Sequence, residues 1–259
     1  MWKVVEACVR GTSHIATGKP CQDAIEMRRI ESPDGPGLVI AIADGAGSAK
    51  YSDVGSRTIV QFLSAAAEAR ASDFKTLKRE DVLAWFEGAR RHLEECVSAE
   101  TGCNPEGLAS TALVAIVWRE GGIFAQVGDG AWVVQTPEGL AHATWPYTGE
   151  YANQTKFVTS GDAAGHLAFE SRTGPLLAVA GFTDGIQSLA LNFAARKVHQ
   201  PFFQRLLEPL RGSADAESLS ANMAVFLDSP PVNQRTDDDK TLVLACWQEP
   251  ASPPNEPAR

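Results

Sequence analysis

The chain has 259 residues, 44% of them hydrophobic, and a formal net charge of −9. That is ample material for a core, and an acidic chain with no basic cluster has no electrostatic footing for nucleic acid. Five cysteines (Cys8, Cys21, Cys96, Cys103 and Cys246) at wide spacings, with no CxxC, argue against a disulfide framework and against a zinc site.

The N-terminus, MWKVVEACVR, lacks the charged start and apolar stretch of a signal peptide. Apolar runs such as Ala112–Trp118 are far too short to span a bilayer. The expectation is a soluble, reducing, cytoplasmic protein that does not engage a membrane. Trp2–Val9 is apolar and β-branched, residues 24–30 alternate, and residues 37–43 form a continuous Val- and Ile-rich run of the kind found in buried strands. That run ends in Asp44-Gly45-Ala46-Gly47-Ser48, whose glycines permit unusual backbone angles.

Two helices are expected next. Residues 54–71 are alanine-rich and free of proline, and residues 81–99 set Val82, Phe86, Ala89, Leu93 and Val97 on one helical face. Short strands follow at 110–118, 123–127, 131–135 and 140–144, punctuated by glycine-rich turns, as in an antiparallel meander. Residues 145–174 show no period and read as a surface excursion. A buried strand over 176–182 ends in Thr183-Asp184-Gly185, helical patterns occupy 186–227, and a last strand over 241–247 is entered through Thr236-Asp237-Asp238-Asp239-Lys240. The Pro-rich segment 249–259 reads as a disordered tail, which leaves 1–248 as one domain. Strands, two helices, a meander, helices and a strand make an α+β order, satisfied by two antiparallel sheets covered by helices.

Several aspartates sit where strands end. Asp44 and Asp184 each follow a buried apolar strand and precede glycine, Asp129 ends another strand, Asp238 lies just before the last, and Asp23 starts one. A single Asp-Gly after a strand is most often a turn. Several carboxylates converging on one rim would repel, and oxygen ligands of this kind suit Mg²⁺ or Mn²⁺.

The segments that carry a resemblance run in order over residues 4–247. They are Gly11-Thr12-Ser13-His14 with Pro20-Cys21-Gln22-Asp23-Ala24, Ile42-Ala43-Asp44-Gly45-Ala46-Gly47, Ala109-Ser110-Thr111-Ala112, Gln126-Val127-Gly128-Asp129-Gly130, Phe182-Thr183-Asp184-Gly185 and Asp238-Asp239-Lys240-Thr241. Together they resemble the metal-dependent PPM/PP2C serine/threonine phosphatases, in particular their compact bacterial branch. The resemblance implies a central antiparallel β-sandwich flanked by helices, in four αββα layers, with a two-metal site on one rim. It implies that Asp44 bridges both ions, that the Gly45 carbonyl ligates one, and that Asp184 and Asp238 hold the other. Asp23 would act through a metal-held water, and Asp129 with Asp184 would support the third ion of bacterial members. The activity implied is hydrolysis of phosphoserine and phosphothreonine on proteins, with no protein nucleophile, because paired metals acidify water and clamp phosphoryl oxygens. A serine/threonine kinase or its target is the implied partner.

The sequence departs from this family at three points. Gly18 stands where an arginine usually binds substrate phosphate, Gln22 replaces a glutamate, and Ala46 stands where many eukaryotic members carry a histidine acid. His14 and Lys19, on the loop before Asp23, are the nearest replacement anchors, and His14 could also protonate the leaving oxygen. A rival reading keeps the fold but makes the chain a weakly catalytic module that binds a phosphoprotein or partner. The altered first motif favours that rival; the retained aspartates oppose it. Asp237-Asp238-Asp239-Lys240-Thr241 also matches the DxDxT nucleophile motif of haloacid-dehalogenase-type phosphatases, but precedes the last strand instead of following an early one. Cys21 and Ser110 lack the surroundings of nucleophiles, His92 and His166 read as surface groups, and Trp145 and Tyr147 read as flap or loop aromatics.

Overall fold

A computed structural model describes residues 1–147, 155–212 and 215–249. Strands and helices are numbered in chain order. One five-stranded sheet runs β1 (Trp2–Val9), β12 (Lys240–Trp247), β9 (Ala178–Phe182), β6 (Ala131–Thr136), β7 (Gly139–His142). The second runs β2 (Asp23–Ser32), β3 (Gly35–Asp44), β4 (Ala112–Trp118), β5 (Gly121–Val127), β8 (Ala168–Thr173). Every pairing in both sheets is antiparallel.

The alternation of each strand sorts its side chains into layers. Ile40 and Ile42 of β3 meet Leu113, Trp132 and Val243 between the sheets. Val39 and Ala41 face the other way, under Ile59, Leu63 and Phe86 of α2 (Ser52–Glu68) and α3 (Arg79–His92). The outer face of the first sheet, with Val133, Ala180 and Leu244, is covered by Phe203, Leu207 and Met223. These come from α6 (Gln200–Gly212) and α7 (Ala216–Leu227). The result is the four-layer αββα sandwich. It explains why β3 reads as an unbroken apolar run: both of its faces are covered.

Short helices complete the chain: α1 (Thr12–Thr17), α4 (Ser98–Thr101), α5 (Gln187–Ala190) and α8 (Pro230–Asn233). Three expectations need correction. The helix expected over 81–99 is regular only to His92, continues through a π turn (Leu93–Val97) into α4, and stops at Gly102 in the left-handed conformation. The helical stretch expected over 186–227 is interrupted by a small hairpin, β10 (Leu191–Asn192) with β11 (Lys197–Val198). There Asn192 Oδ1 accepts from Ala195 N at 3.0 Å, a side-chain turn that competes with helix. The excursion over 145–174 contains β8, an edge strand whose half-exposed Phe-Glu-Ser-Arg run hides its period. Residues 148–154 of that excursion, and the Pro-rich tail from 250, lie outside the described residues. No helix among the described residues is long and apolar enough to cross a membrane.

Candidate metal centre

The rim is built where both sheets end. Asp23 and Asp44 are direct partners across the β2–β3 pair, so both carboxyls leave the same face of the second sheet. Asp184 follows β9 and Asp129 follows β5, which bring carboxylates from both sheets to the seam. One carboxylate oxygen each from Asp44, Asp129 and Asp184 lie within 4.8 Å of one another. A second group at the same spacing joins His14, Asp238 and Asp239.

The surroundings fix these side chains from behind. Ser110 Oγ donates to the Asp44 carbonyl at 2.8 Å, Thr111 N donates to the same oxygen at 2.8 Å, and Thr111 Oγ1 accepts from Asp44 N at 3.1 Å. Asp23 is buried, and its Oδ2 accepts from Thr183 Oγ1 at 2.8 Å and Thr241 Oγ1 at 2.7 Å. Asp23 of the second sheet is thereby tied to the ends of β9 and β12 in the first. Gly45 can hold no side chain, because a Cβ there would stand 2.7 Å from the Ser52 carbonyl and 2.8 Å from that of Gln22. Its amide donates to Gln22 O at 3.0 Å.

Asp239 has the most tightly held carboxylate of the aspartate triplet. It is 2% exposed and accepts from Gly11 N and Gln22 N, each at 2.6 Å. Asp238 is partly exposed, with Oδ1 taking the Asp239 amide at 2.8 Å. Gly11 and Gly185 let this segment approach: a Cβ on Gly185 would fall 1.8 Å from the Asp239 carbonyl oxygen. Sequence reasoning picked Asp238 and missed Asp239. The period of β12 could have found it: Thr241 and Val243 share the inner face, and two residues back along that face is Asp239.

His14 is buried in α1, with Nδ1 2.9 Å from Asp239 Oδ2 but off the direction of a hydrogen bond. Lys19 is exposed and donates from Nζ to the Gly47 carbonyl at 2.7 Å, which ties the loop before Asp23 to the loop after Asp44. Cys21 Sγ lies 3.4 Å from Cys8 Sγ. His92 packs at a tilt against Phe62 and His166 edge-on against Tyr147, while Trp145 packs edge-on against His142 and Phe193.

The electrostatics are those of a site short of positive charge. Burial, then the charges of Asp23 and Asp184, holds the Asp44 carboxyl well above its ordinary range. Burial and the Asp129 charge push Asp184 up to about 7. Asp23 is raised well above its usual value, chiefly by burial. Burial raises Asp129 as well, against the hydrogen bond from Thr155. Among the described residues, Asp23 Oδ1, Asp129 Oδ1, Asp184 Oδ1 and Gln22 Oε1 are buried without a hydrogen-bond partner. Orphaned buried acceptors are costly. All four are oxygens, the donor type hard divalent cations take, so these residues fit such ions.

Residues 10–228 match the family described as Protein phosphatase 2C. Serine/threonine-protein phosphatase 3 of Escherichia coli is 38% identical over 254 residues, which is 96% of this chain and 99% of that protein. The serine/threonine phosphatase of S. agalactiae superposes with a TM-score of 0.66 at 14% identity, covering 96% of this chain and 100% of that one. The serine/threonine phosphatase Stp1 of Staphylococcus aureus superposes with a TM-score of 0.59 at 15% identity, covering 96% of each chain. The matched family segment stops before Asp238, and the structure supplies the remainder by pairing β12 between β1 and β9. With the sandwich, the rim carboxylates and these likenesses in agreement, the chain belongs to the protein phosphatase 2C family of serine/threonine phosphatases.

Proposed function

We propose that residues 1–248 act as one unit that hydrolyses phosphoserine and phosphothreonine on proteins with the help of Mg²⁺ or Mn²⁺. The observation that carries this reading is the convergence of Asp44, Asp129 and Asp184 within 4.8 Å, with one buried oxygen of Asp129 and one of Asp184 left without a hydrogen-bond partner. Asp44 and Asp184 would hold the central ions, joined by the Gly45 carbonyl on one side and Asp238 on the other, and Asp129 with Asp184 would serve a third. Asp23 stands behind them, fixed by Thr183 and Thr241, and orients water at the rim. When bound, the ions supply an acidified water and a clamp on the phosphoryl oxygens. The protein's own part is positioning: rigid strand ends hold the carboxylates, and Ser110 and Thr111 fix the backbone at Asp44. His14 is the proposed donor to the outward phosphoryl oxygen and the leaving oxygen, with Lys19 as the second cationic group of that loop.

The likeness to a curated serine/threonine-protein phosphatase supports phosphoprotein substrates; a serine/threonine kinase or its target is the proposed partner, and the cytoplasm the proposed location. Free thiols at Cys8, Cys21, Cys103 and Cys246 support a reducing compartment. The test is release of phosphate from p-nitrophenyl phosphate and from a phosphothreonine peptide. The reading expects turnover with Mn²⁺ or Mg²⁺ that a chelator stops; equal turnover in chelator would overturn it.

A further inference from the structure

Cys8 and Cys21 come from different parts of the fold and meet beside the rim. Cys8 is exposed near the end of β1, in the first sheet. Cys21 is half-buried in the segment that leads into β2, in the second. Their sulfurs are 3.4 Å apart. A disulfide needs about 2.05 Å, so closure asks for about 1.4 Å of approach, within reach of side-chain rotation and a small backbone shift. Elsewhere, Cys103 Sγ faces Asn104 and Cys246 Sγ faces the Trp247 carbonyl.

What lies around the two sulfurs decides what a bond between them would do. Cys8 Sγ also donates to the Asp23 carbonyl at 3.7 Å. Directly across the β1–β12 register from Cys8 is Thr241, whose hydroxyl holds Asp23 Oδ2. Cys21 precedes Gln22, whose amide is held by Asp239. The span from Cys8 to Cys21 encloses α1, which carries His14. Drawing Cys21 toward β1 therefore pulls on both supports of the Asp23 segment and on the helix that presents His14.

We propose that Cys8 and Cys21 form a reversible peroxide-driven disulfide that slows the phosphatase by displacing the Asp23 segment from the metal rim. Cys8, the more exposed thiol, attacks hydrogen peroxide as its thiolate; the O–O bond breaks, Cys8 becomes the sulfenic acid, and hydroxide leaves. Cys21 then attacks the Cys8 sulfur; the S–S bond forms, the S–O bond breaks, and the oxygen departs as water. In sum, two thiols and one hydrogen peroxide give one disulfide and two waters. A dithiol reductant reverses the bond by exchange.

The effect on turnover rests on the metal-dependent reading above, but formation of the bond does not. The full chain is treated with hydrogen peroxide in chelator, freed of both, and compared with the reduced protein. Intact mass should fall by two hydrogens, and a digest should yield a peptide joining Cys8 to Cys21. Mn²⁺ affinity, read by electron paramagnetic resonance, and phosphopeptide turnover at limiting Mn²⁺ should each drop about tenfold, the scale for losing a support behind a metal ligand. Dithiothreitol should restore both. Cys8→Ser and Cys21→Ser should keep the turnover of the reduced protein and lose the response to peroxide, whereas Cys103→Ser should respond like the parent. Sulfinic acid at Cys8 without a bridge, a bridge to another cysteine, or a fully bridged protein with unchanged Mn²⁺ affinity and turnover would overturn the proposal. A reduced protein without any metal-dependent turnover would instead overturn the functional reading, and the mass and Mn²⁺ affinity would still judge the bridge.

Discussion

Asp23, Asp44, Asp129 and Asp184 hold their positions at a raised proton affinity. Asp184 titrates near 7 in the folded protein against an ordinary 3.8, and Asp23, Asp44 and Asp129 shift the same way, with burial the leading cause in each. The folded state therefore holds more protons than the unfolded chain over that interval. Its contribution to stability is fully present below about pH 4 and is lost as pH rises through about 7. The urea midpoint of chelated protein is expected to fall as pH climbs from about 5 to about 8, and saturating Mn²⁺ should remove most of that fall. Because an ion must displace those protons, half-saturating Mn²⁺ should decrease over the same range. A chelated protein that grows more stable toward pH 8 would contradict this account of the rim. The phosphate anchor is a second question at this scale. Lys19 already spends its ammonium on the Gly47 carbonyl, while His14 sits in the group with Asp238 and Asp239. His14→Ala should lower kcat/KM for a phosphopeptide more than Lys19→Ala does, with metal affinity nearly unchanged in both. Wild-type kinetics in His14→Ala, measured with a metal titration, would remove His14 from that role.

At the scale of elements, Asp239 is the clasp. Its two oxygens take amides from the start of α1 and from the residue before β2, so one side chain joins β12, α1 and β2 at the rim. Asp239→Ala leaves two buried amides without acceptors and should destabilise the protein by about 3 kcal/mol, seen as a lower denaturant midpoint at unchanged slope. Asp239→Asn keeps the volume and one acceptor, and should lose less. An alanine variant as stable as the parent would show that water replaces the clasp. This is also where the sequence was hardest to read. Long periodic elements such as β1, β3 and α2 stand within a few residues of their expected limits, because burial on a defined face writes itself as a period. α1 has six residues and no apolar stripe, β8 is a half-exposed edge, and the β10–β11 hairpin turns on one asparagine inside a helix-like run. Strand ends revealed Asp44 and Asp184. The division of labour between Asp238 and Asp239 depends on which face of β12 continues into the loop, a long-range fact that three identical residues in a row conceal.

For the whole molecule, the rim lies on the seam between two sheets. Asp23 and Asp44 belong to one sheet, Asp184 to the end of a strand in the other, and the Asp23 bonds to Thr183 and Thr241 cross between them. The spacing of the carboxylates is thus set by how the sheets pack, through Ile40, Ile42, Leu113, Trp132 and Val243. On the proposed metal-dependent reading the sandwich would serve as a rigid frame for these carboxylates, with no moving nucleophile required. On that reading charge at the rim, and not any single reactive side chain, would control turnover. The most direct test is phosphate release from a phosphothreonine peptide as a function of Mn²⁺, for the parent, Asp44→Asn and Asp184→Asn, with folding checked by thermal melts in chelator. The parent should show saturable Mn²⁺-dependent release. Each variant should lose turnover by at least about a hundredfold while melting no lower than the metal-free parent, because repulsion is relieved. A folded Asp44→Asn or Asp184→Asn variant that releases phosphate at the parent's rate, with the same Mn²⁺ dependence, would contradict the assignment of these carboxylates to the metal centre.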